Sequence, residues 1–193
     1  AQTLGRRALA FAPIDEHIQA ALAYVVAALA LLALTVHGRR GLPRMLALPA
    51  RAPLWLFVAV LGGVASGAFA VGYRAFLRKV GVEVPAGATD GDVRLVIAAV
   101  TVVLAPIAEE IFFRGWLQNT IEGELPTARR WLAPLLAALA FASVRAPMSL
   151  VPIFVLGIVT GVLYARTRSV GPGMAAHAVH VAVSLAARYY LEV

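Results

Sequence analysis

The sequence contains no cysteine, and this absence limits the chemistry that is open to the protein. Disulfide bonds and thiolate metal ligands are both excluded, so any metal site would have to use histidine with glutamate or aspartate. Histidine itself is scarce, with four residues in the chain. His17 and His37 lie at or beyond the ends of apolar runs, which leaves His177 and His180 as candidate functional histidines.

Charged residues are also sparse, at 14% of the 193 residues, whereas hydrophobic residues make up 61%. Soluble globular domains contain roughly 45–50% apolar residues, so this composition indicates an integral membrane protein. The apolar residues form long runs that are typical of spanning helices. We therefore predict an all-α, polytopic membrane helical bundle without a separate soluble domain.

The net charge of +7 is spread over predicted loops and helix ends. No basic stripe with interleaved aromatic residues is present, so we expect no nucleic acid partner. A positive charge at the ends of spanning helices suits anionic lipid headgroups. The expected partners are therefore membrane lipids and other membrane proteins of a complex, in a prokaryotic-type inner or plasma membrane that the chain crosses several times.

We predict about six transmembrane helices, because a spanning helix needs about 20 apolar residues. The predicted spans are residues 18–36, 53–73, 93–118, 131–145, 150–165 and 174–190. Residues 1–92 would form a lead-in with two spans, and residues 93–193 a core of four. The arginine-rich loop 37–52 favours the cytoplasmic side.

Small residues predict where helices pack closely, and one proline predicts where a helix bends. Gly63 and Gly67, and likewise Gly157 and Gly161, are four residues apart, which predicts close helix packing rather than ligand binding. Pro106 lies inside the third span, where it removes a backbone donor and can kink the helix.

The third span also carries two adjacent carboxylates and an arginine, Glu109, Glu110 and Arg114. A charged residue at the centre of a spanning helix costs about 2.5–3.5 kcal/mol, so such groups usually face a protein interior and indicate a functional site. Glu110 and Arg114 are four residues apart and share a helix face, which predicts a buried ion pair. Glu109 is turned about 100° away and needs a partner of its own.

Three further polar residues lie in apolar surroundings. Arg145, at the end of the fourth span, either extends to the lipid headgroups or turns inward to neutralise Glu109 or Glu110. His177 and His180 are three residues apart and share a helix face, either as hydrogen-bonded packing residues or as ligands. The residues alone leave both alternatives open.

The segment Glu109-Glu110-x-x-x-Arg114 resembles the first motif of the CPBP (CAAX protease and bacteriocin-processing, or Abi) family of intramembrane proteases. The resemblance covers about residues 93–190 and implies a membrane-embedded core of four helices. Some members of the family remove the C-terminal tripeptide from prenylated proteins, and others are linked to peptide maturation and bacteriocin self-immunity.

The resemblance also implies roles for individual residues. The first glutamate of the motif activates a water molecule, which makes Glu109 the activating residue and Glu110 and Arg114 its companions. The second motif, Phe-x-x-x-His, assists this step. The histidine of the third motif, which corresponds to His177, stabilises the oxyanion together with an Asn or Asp four residues later.

Two positions depart from the family pattern. Arg145 stands where the second motif has histidine, and Val181 stands where the third motif has Asn or Asp. Arginine has no lone pair for a proton or a metal, and it lowers the basicity of a nearby carboxylate. Valine cannot donate a hydrogen bond to an oxyanion, and losing one such donor costs about 10²–10³ in rate. His180, one residue before Val181, is a candidate substitute donor to the oxyanion.

These departures favour a catalytically degenerate member that acts as a scaffold, an assembly factor or a subunit of a membrane complex, with no cofactor. The alternative is an active intramembrane endopeptidase of the CAAX or peptide-maturation type that uses Glu109 and His177 on a peptide substrate. In that case Glu109, His177 and His180 are candidate zinc ligands. A third possibility is a transporter or small-ligand binder, although the lack of internal repeats speaks against it.

Overall fold

The structure is a computed structural model that describes residues 45–82 and 100–191. Within these ranges every regular element is a helix and no strand is present, which confirms the predicted all-α fold. The five main helices, in chain order, are α1 (Ala52–Lys79), α2 (the successive segments Val100–Leu104, Ala105–Glu110, Ile111–Gln118 and Asn119–Glu124), α3 (Leu132–Ser143), α4 (Leu150–Thr167) and α5 (Gly171–Leu191). The predicted span 18–36 lies outside the described residues.

Two of the described helices are long and apolar enough to cross a membrane. They are α1, with 28 residues, and α4 together with the short 3₁₀ turn before it, Pro147–Thr167. Helix α3 is apolar but has only 12 residues, in agreement with the short fourth span of the sequence analysis. The chain is thus a helical membrane protein, and the total of six spans stays a prediction.

Helix α1 shows how the bundle separates its packed side from its outer side. Its buried residues, Ala59, Gly63, Ser66 and Gly67, recur at helical spacing and form one narrow stripe. Large apolar residues cover the rest of the helix and are exposed, such as Phe57 at 61%. An exposed apolar surface of this extent suits contact with lipid.

The glycines of α1 and α4 permit close helix packing. A Cβ atom on Gly63 would lie 2.5 Å from the Ala176 carbonyl oxygen of α5, and one on Gly157 would lie 2.8 Å from the Ala138 Cβ of α3. The prediction of close packing at these glycines is therefore confirmed, and their contacts lie within the bundle. Helix α1 packs mainly on α5, and α3 packs mainly on α4.

Helix α2 contains two wide π-helical stretches, Val100–Leu104 and Ile111–Gln118. The residues at the segment junctions keep right-handed helical dihedral angles, so the chain continues from one segment into the next. Pro106 is the second residue after the first stretch, and the wider turn accommodates the missing donor and the bulk of its ring. The second stretch begins immediately after Glu110 and carries Arg114.

Candidate functional site

Glu110 and Arg114 form an ion pair at the centre of the bundle, and both side chains are fully buried. The Arg114 Nε lies 3.2 Å from Glu110 Oε2 and 2.9 Å from Thr160 Oγ1 on α4. The i, i+4 spacing accounts for the first contact. Thr160, which no sequence motif indicated, connects the pair to a second helix.

The other contacts of Glu110 come from the beginning of α5. Its Oε1 lies 3.3 Å from His177 Nδ1. Its Oε2 lies so close to the backbone of Gly173 that a Cβ atom there would be 2.7 Å away. Only glycine leaves room for the carboxylate at this point, and the N-terminal turn of a helix favours a negative charge. Gly173 lies in the first turn of α5, which begins at Gly171, three residues before the predicted span 174–190.

Glu109 has separate partners, as its different direction on the helix requires. The Arg145 Nη2 donates a hydrogen bond to Glu109 Oε2. The same carboxylate oxygen lies 3.8 Å from His177 Nε2. Arg145 therefore turns inward, and of the two alternatives that the sequence left open the structure shows the second. The Arg145 side chain is 35% exposed, whereas that of Glu109 is 6% exposed.

Phe141 links the two ion pairs. It is fully buried, and the guanidinium carbons of Arg145 and Arg114 lie 5.2 Å and 5.3 Å from the centre of its ring. The His177 ring meets it edge-on at 5.6 Å. The Arg114 Nη1 and Nη2 have no hydrogen-bond partner among the described residues, so the aromatic ring is an important neighbour of this buried cation.

His180 is directed toward α1. Its Nδ1 lies 3.0 Å from the hydroxyl oxygen of Ser66, and that hydroxyl donates its proton to the Gly63 carbonyl oxygen at 3.1 Å. Because serine has one proton to donate, the His180 Nδ1 must be the donor to Ser66. Ser66 is 114 residues from His180 in sequence, and no local pattern indicated this contact.

The suggested zinc ligands do not fit a metal site in this arrangement. Glu109 and His177 are neighbours, whereas the described polar contact of His180 is with Ser66 on α1. In the part of the chain that the structure describes, no three histidine, aspartate or glutamate side chains are placed to hold a metal ion. We therefore derive no chemical step through a metal.

Five of the predicted site residues thus meet in one cluster, whereas His180 contacts a different helix. The five are Glu109, Glu110, Arg114, Arg145 and His177. Val181 follows His180 on α5 and, as valine, brings no hydrogen-bonding side chain to the cluster.

A third ion pair closes one end of the bundle, away from the buried cluster. Arg168, which ends α4 with a left-handed φ of 55°, binds Glu122 of α2 through two hydrogen bonds of 2.7 and 2.5 Å. The hydrogen bond from Arg168 lowers the pKa of the Glu122 carboxyl below its ordinary value. The same hydrogen bond raises the pKa of Arg168.

Comparison with known proteins supports the resemblance seen in the sequence. Residues 92–183 match the family model described as type II CAAX prenyl endopeptidase Rce1-like. The matched range begins before α2 and extends into α5, so it contains the whole acidic cluster. No curated protein and no solved structure matches the chain.

Proposed function

We propose that this chain, which matches the Rce1-like family model over residues 92–183, is a CPBP-type membrane protein that binds other molecules rather than hydrolysing peptides. In this proposal the acidic pair Glu109 and Glu110 stabilises the helical bundle. The role of the protein would be that of a scaffold, an assembly factor or a subunit of a membrane complex. The observation that carries the proposal is the hydrogen bond from Arg145 to Glu109.

The lone pairs of Glu109 determine whether this residue can act as a general base. A general base must accept a proton from a water molecule within hydrogen-bond reach. Here Arg145 binds the carboxylate oxygen that also faces His177. Because Arg145 occupies lone pairs of this oxygen, it competes with the water molecule that Glu109 would have to deprotonate. Arginine cannot replace histidine in proton transfer, because it has no free lone pair.

The oxyanion side of the cluster is also incomplete. Val181 offers no donor, and the Nδ1 proton of His180 is used on Ser66. His177 is the only histidine of the described residues that contacts the two carboxylates. A cluster with one histidine and no amide donor provides fewer transition-state contacts than the family motifs imply.

The alternative is an active intramembrane endopeptidase of the CAAX or peptide-maturation type. Two observations favour it: the His177 Nε2 lies 3.8 Å from Glu109 Oε2, and the matching family model carries an endopeptidase name. The Arg145 side chain is 35% exposed and so has space to leave the carboxylate. In this reading Glu109 acts as the base and His177 assists.

The location and partners follow from the same reasoning. We place the chain in a prokaryotic-type inner or plasma membrane as a multi-pass protein. The apolar outer surface of α1 supports contact with lipid, and further membrane proteins are the expected partners of a scaffold. A peptide substrate belongs only to the alternative, and no nucleic acid is expected in either case.

A cleavage assay separates the two functions. The purified protein is incubated in detergent micelles with a peptide ending in a prenylated CAAX sequence and with the same peptide unprenylated. We expect the native chain to show no turnover above that of Glu109→Ala. Cleavage by the native chain that is lost in Glu109→Ala would contradict the scaffold and establish the peptidase.

A matched variant tests whether Arg145 and Val181 account for the expected lack of peptidase activity. The double substitution Arg145→His with Val181→Asn restores the two side-chain types that the family motifs contain. If these positions account for the loss of activity, the double variant cleaves the peptide, and adding Glu109→Ala abolishes the cleavage again. Circular dichroism and a single elution volume in detergent check that each variant is folded.

A further inference from the structure

Three arginines come together at one end of the bundle, far from the third ion pair. Arg74 and Arg78 are four residues apart near the end of α1, and Arg188 lies near the end of α5. Arg74 is close enough to both other arginines to be repelled by them. Among the described residues, neither Arg74 nor Arg188 forms an ion pair with an acidic side chain.

A groove borders this cluster between α1 and the beginning of α4. It is lined by Tyr73, Arg74 and Leu77 from α1 and by Met148, Ser149 and Pro152 from the other wall. The lining therefore combines a guanidinium and two hydroxyl groups with apolar side chains. No acidic side chain is among the residues that line it.

The position of the groove fits a membrane boundary. The predicted second span ends at residue 73, so Arg74 is the first charged residue beyond the apolar part of α1. The same helix exposes large apolar residues beside this point, including Phe69 at 42% and Phe76 at 57%. Polar donors and an apolar surface thus adjoin each other, as the headgroup and acyl chains of a lipid require.

We propose that this groove binds the phosphate headgroup of an anionic phospholipid, with Arg74 as the cation in its lining and Arg188, the neighbour of Arg74 on α5, as a second cation beside it. Guanidinium groups bind phosphate through paired, charge-assisted hydrogen bonds. A bound anion would also relieve the repulsion among the arginines. The apolar side chains of the groove can contact the acyl chains of a lipid, which free phosphate lacks. The site is separate from the acidic cluster, so it does not depend on whether the chain cleaves peptides.

Native mass spectrometry with defined lipids tests the proposal. The protein is released from micelles that contain equal amounts of phosphatidylglycerol and phosphatidylcholine, and the bound lipids are counted. We expect at least a fivefold preference for phosphatidylglycerol in the native chain. The variant Arg74→Gln with Arg188→Gln should lose this preference, whereas Arg166→Gln, which removes an exposed arginine at the other end of α4, should keep it.

Three outcomes would overturn the proposal. The first is equal retention of the two lipids by the native chain. The second is an equal loss of preference in the double variant and in the Arg166→Gln control, which would indicate a general charge effect. The third is displacement of the lipid by millimolar inorganic phosphate alone, which would identify a free anion as the ligand. An unchanged elution volume in detergent shows that the variants are folded.

Discussion

The adjacent residues Glu109 and Glu110 belong to one helix but form two different kinds of ion pair. Glu110 and Arg114 are both fully buried and are further bound by Thr160. Glu109 pairs with Arg145, which comes from the end of α3 and is 35% exposed. The pair of Glu110 and Arg114, here called the inner pair, is therefore enclosed by the protein on all sides. The pair of Glu109 and Arg145, the outer pair, has a cation that is partly exposed at the protein surface.

This difference in burial predicts that the inner pair mainly stabilises the fold, whereas the outer pair mainly affects the function. Removing one partner of a fully buried pair leaves an uncompensated charge, so the loss of either member of the inner pair strongly destabilises the bundle. The outer pair is replaceable at lower cost, because its cation is partly exposed. It also occupies the carboxylate that the family resemblance assigns to catalysis. The contact between Arg145 and Glu109 is thus the feature that distinguishes the proposed scaffold from the alternative peptidase.

The largest effect is expected at the inner pair. Replacing Arg114 by alanine leaves Glu110 buried and unpaired, and we expect a loss of about 3–5 kcal/mol in the free energy of unfolding. Equilibrium unfolding in mixed micelles measures it. The double variant Glu110→Gln with Arg114→Met removes both charges and should recover most of the loss. A loss below 1 kcal/mol in Arg114→Ala would show that the pair is not enclosed.

A smaller effect is expected where Glu110 meets α5. In Gly173→Ala the new methyl group would lie 2.7 Å from Glu110 Oε2, so the carboxylate or the helix must move. Overpacking of this kind costs about 1–3 kcal/mol. Gly123→Ala is the matched control, because no atom lies within 4 Å of its added Cβ. The control should be neutral or stabilising by up to about 1 kcal/mol, and equal effects in both variants would contradict the contact.

At the outer pair, Arg145→Ala should lower the free energy of unfolding by about 1–2 kcal/mol, less than at the inner pair because the cation is partly solvated. The same unfolding measurement checks it. Arg129→Ala, at an exposed position in a 3₁₀ turn, is the control and should change stability by less than about 0.5 kcal/mol. If Arg145→Ala were as costly as Arg114→Ala, the distinction between the pairs would fail.

The smallest effect is expected at the pair of Glu122 and Arg168, which lies outside the buried cluster. Glu122→Gln should reduce stability by about 0.2–1 kcal/mol at pH 7. Because the folded-state pKa of Glu122 is lowered, this contribution is present above the unfolded pKa of about 4.3 and is lost as the pH falls through the folded value. Unfolding curves at pH 7, 5 and 3 should show the difference from the native chain shrinking only below about pH 4. Glu124→Gln, which removes an exposed carboxylate nearby, is the control and should change stability at pH 7 by less than about 0.5 kcal/mol.

Local spacing made part of this structure predictable. The i, i+4 relation gave the contact between Glu110 and Arg114, and the glycine pairs gave the close helix packing. Charged residues inside an apolar run indicated the acidic cluster, and the family resemblance implied roles for its members. These features depend on residues that are near each other in the chain or on motifs of fixed spacing.

The remaining features depend on contacts between distant segments. Neither the contact of His180 with Ser66 nor that of Arg114 with Thr160 follows from any local pattern. The π-helical turns of α2 were also not predicted, because an apolar run offers little contrast from which to read a helical period. For Arg145, the end of a span allows both an inward and an outward side chain, and tertiary contacts decide between them.

The central claim is that Arg145 holds the Glu109 carboxylate, and a double-mutant cycle tests it most directly. Unfolding free energies are measured for the native chain, for Glu109→Gln, for Arg145→Gln and for the double variant. The account predicts a favourable coupling energy of about 1–2 kcal/mol between the two side chains. A coupling energy near zero would show that Arg145 does not hold Glu109, and it would remove the main support for the scaffold.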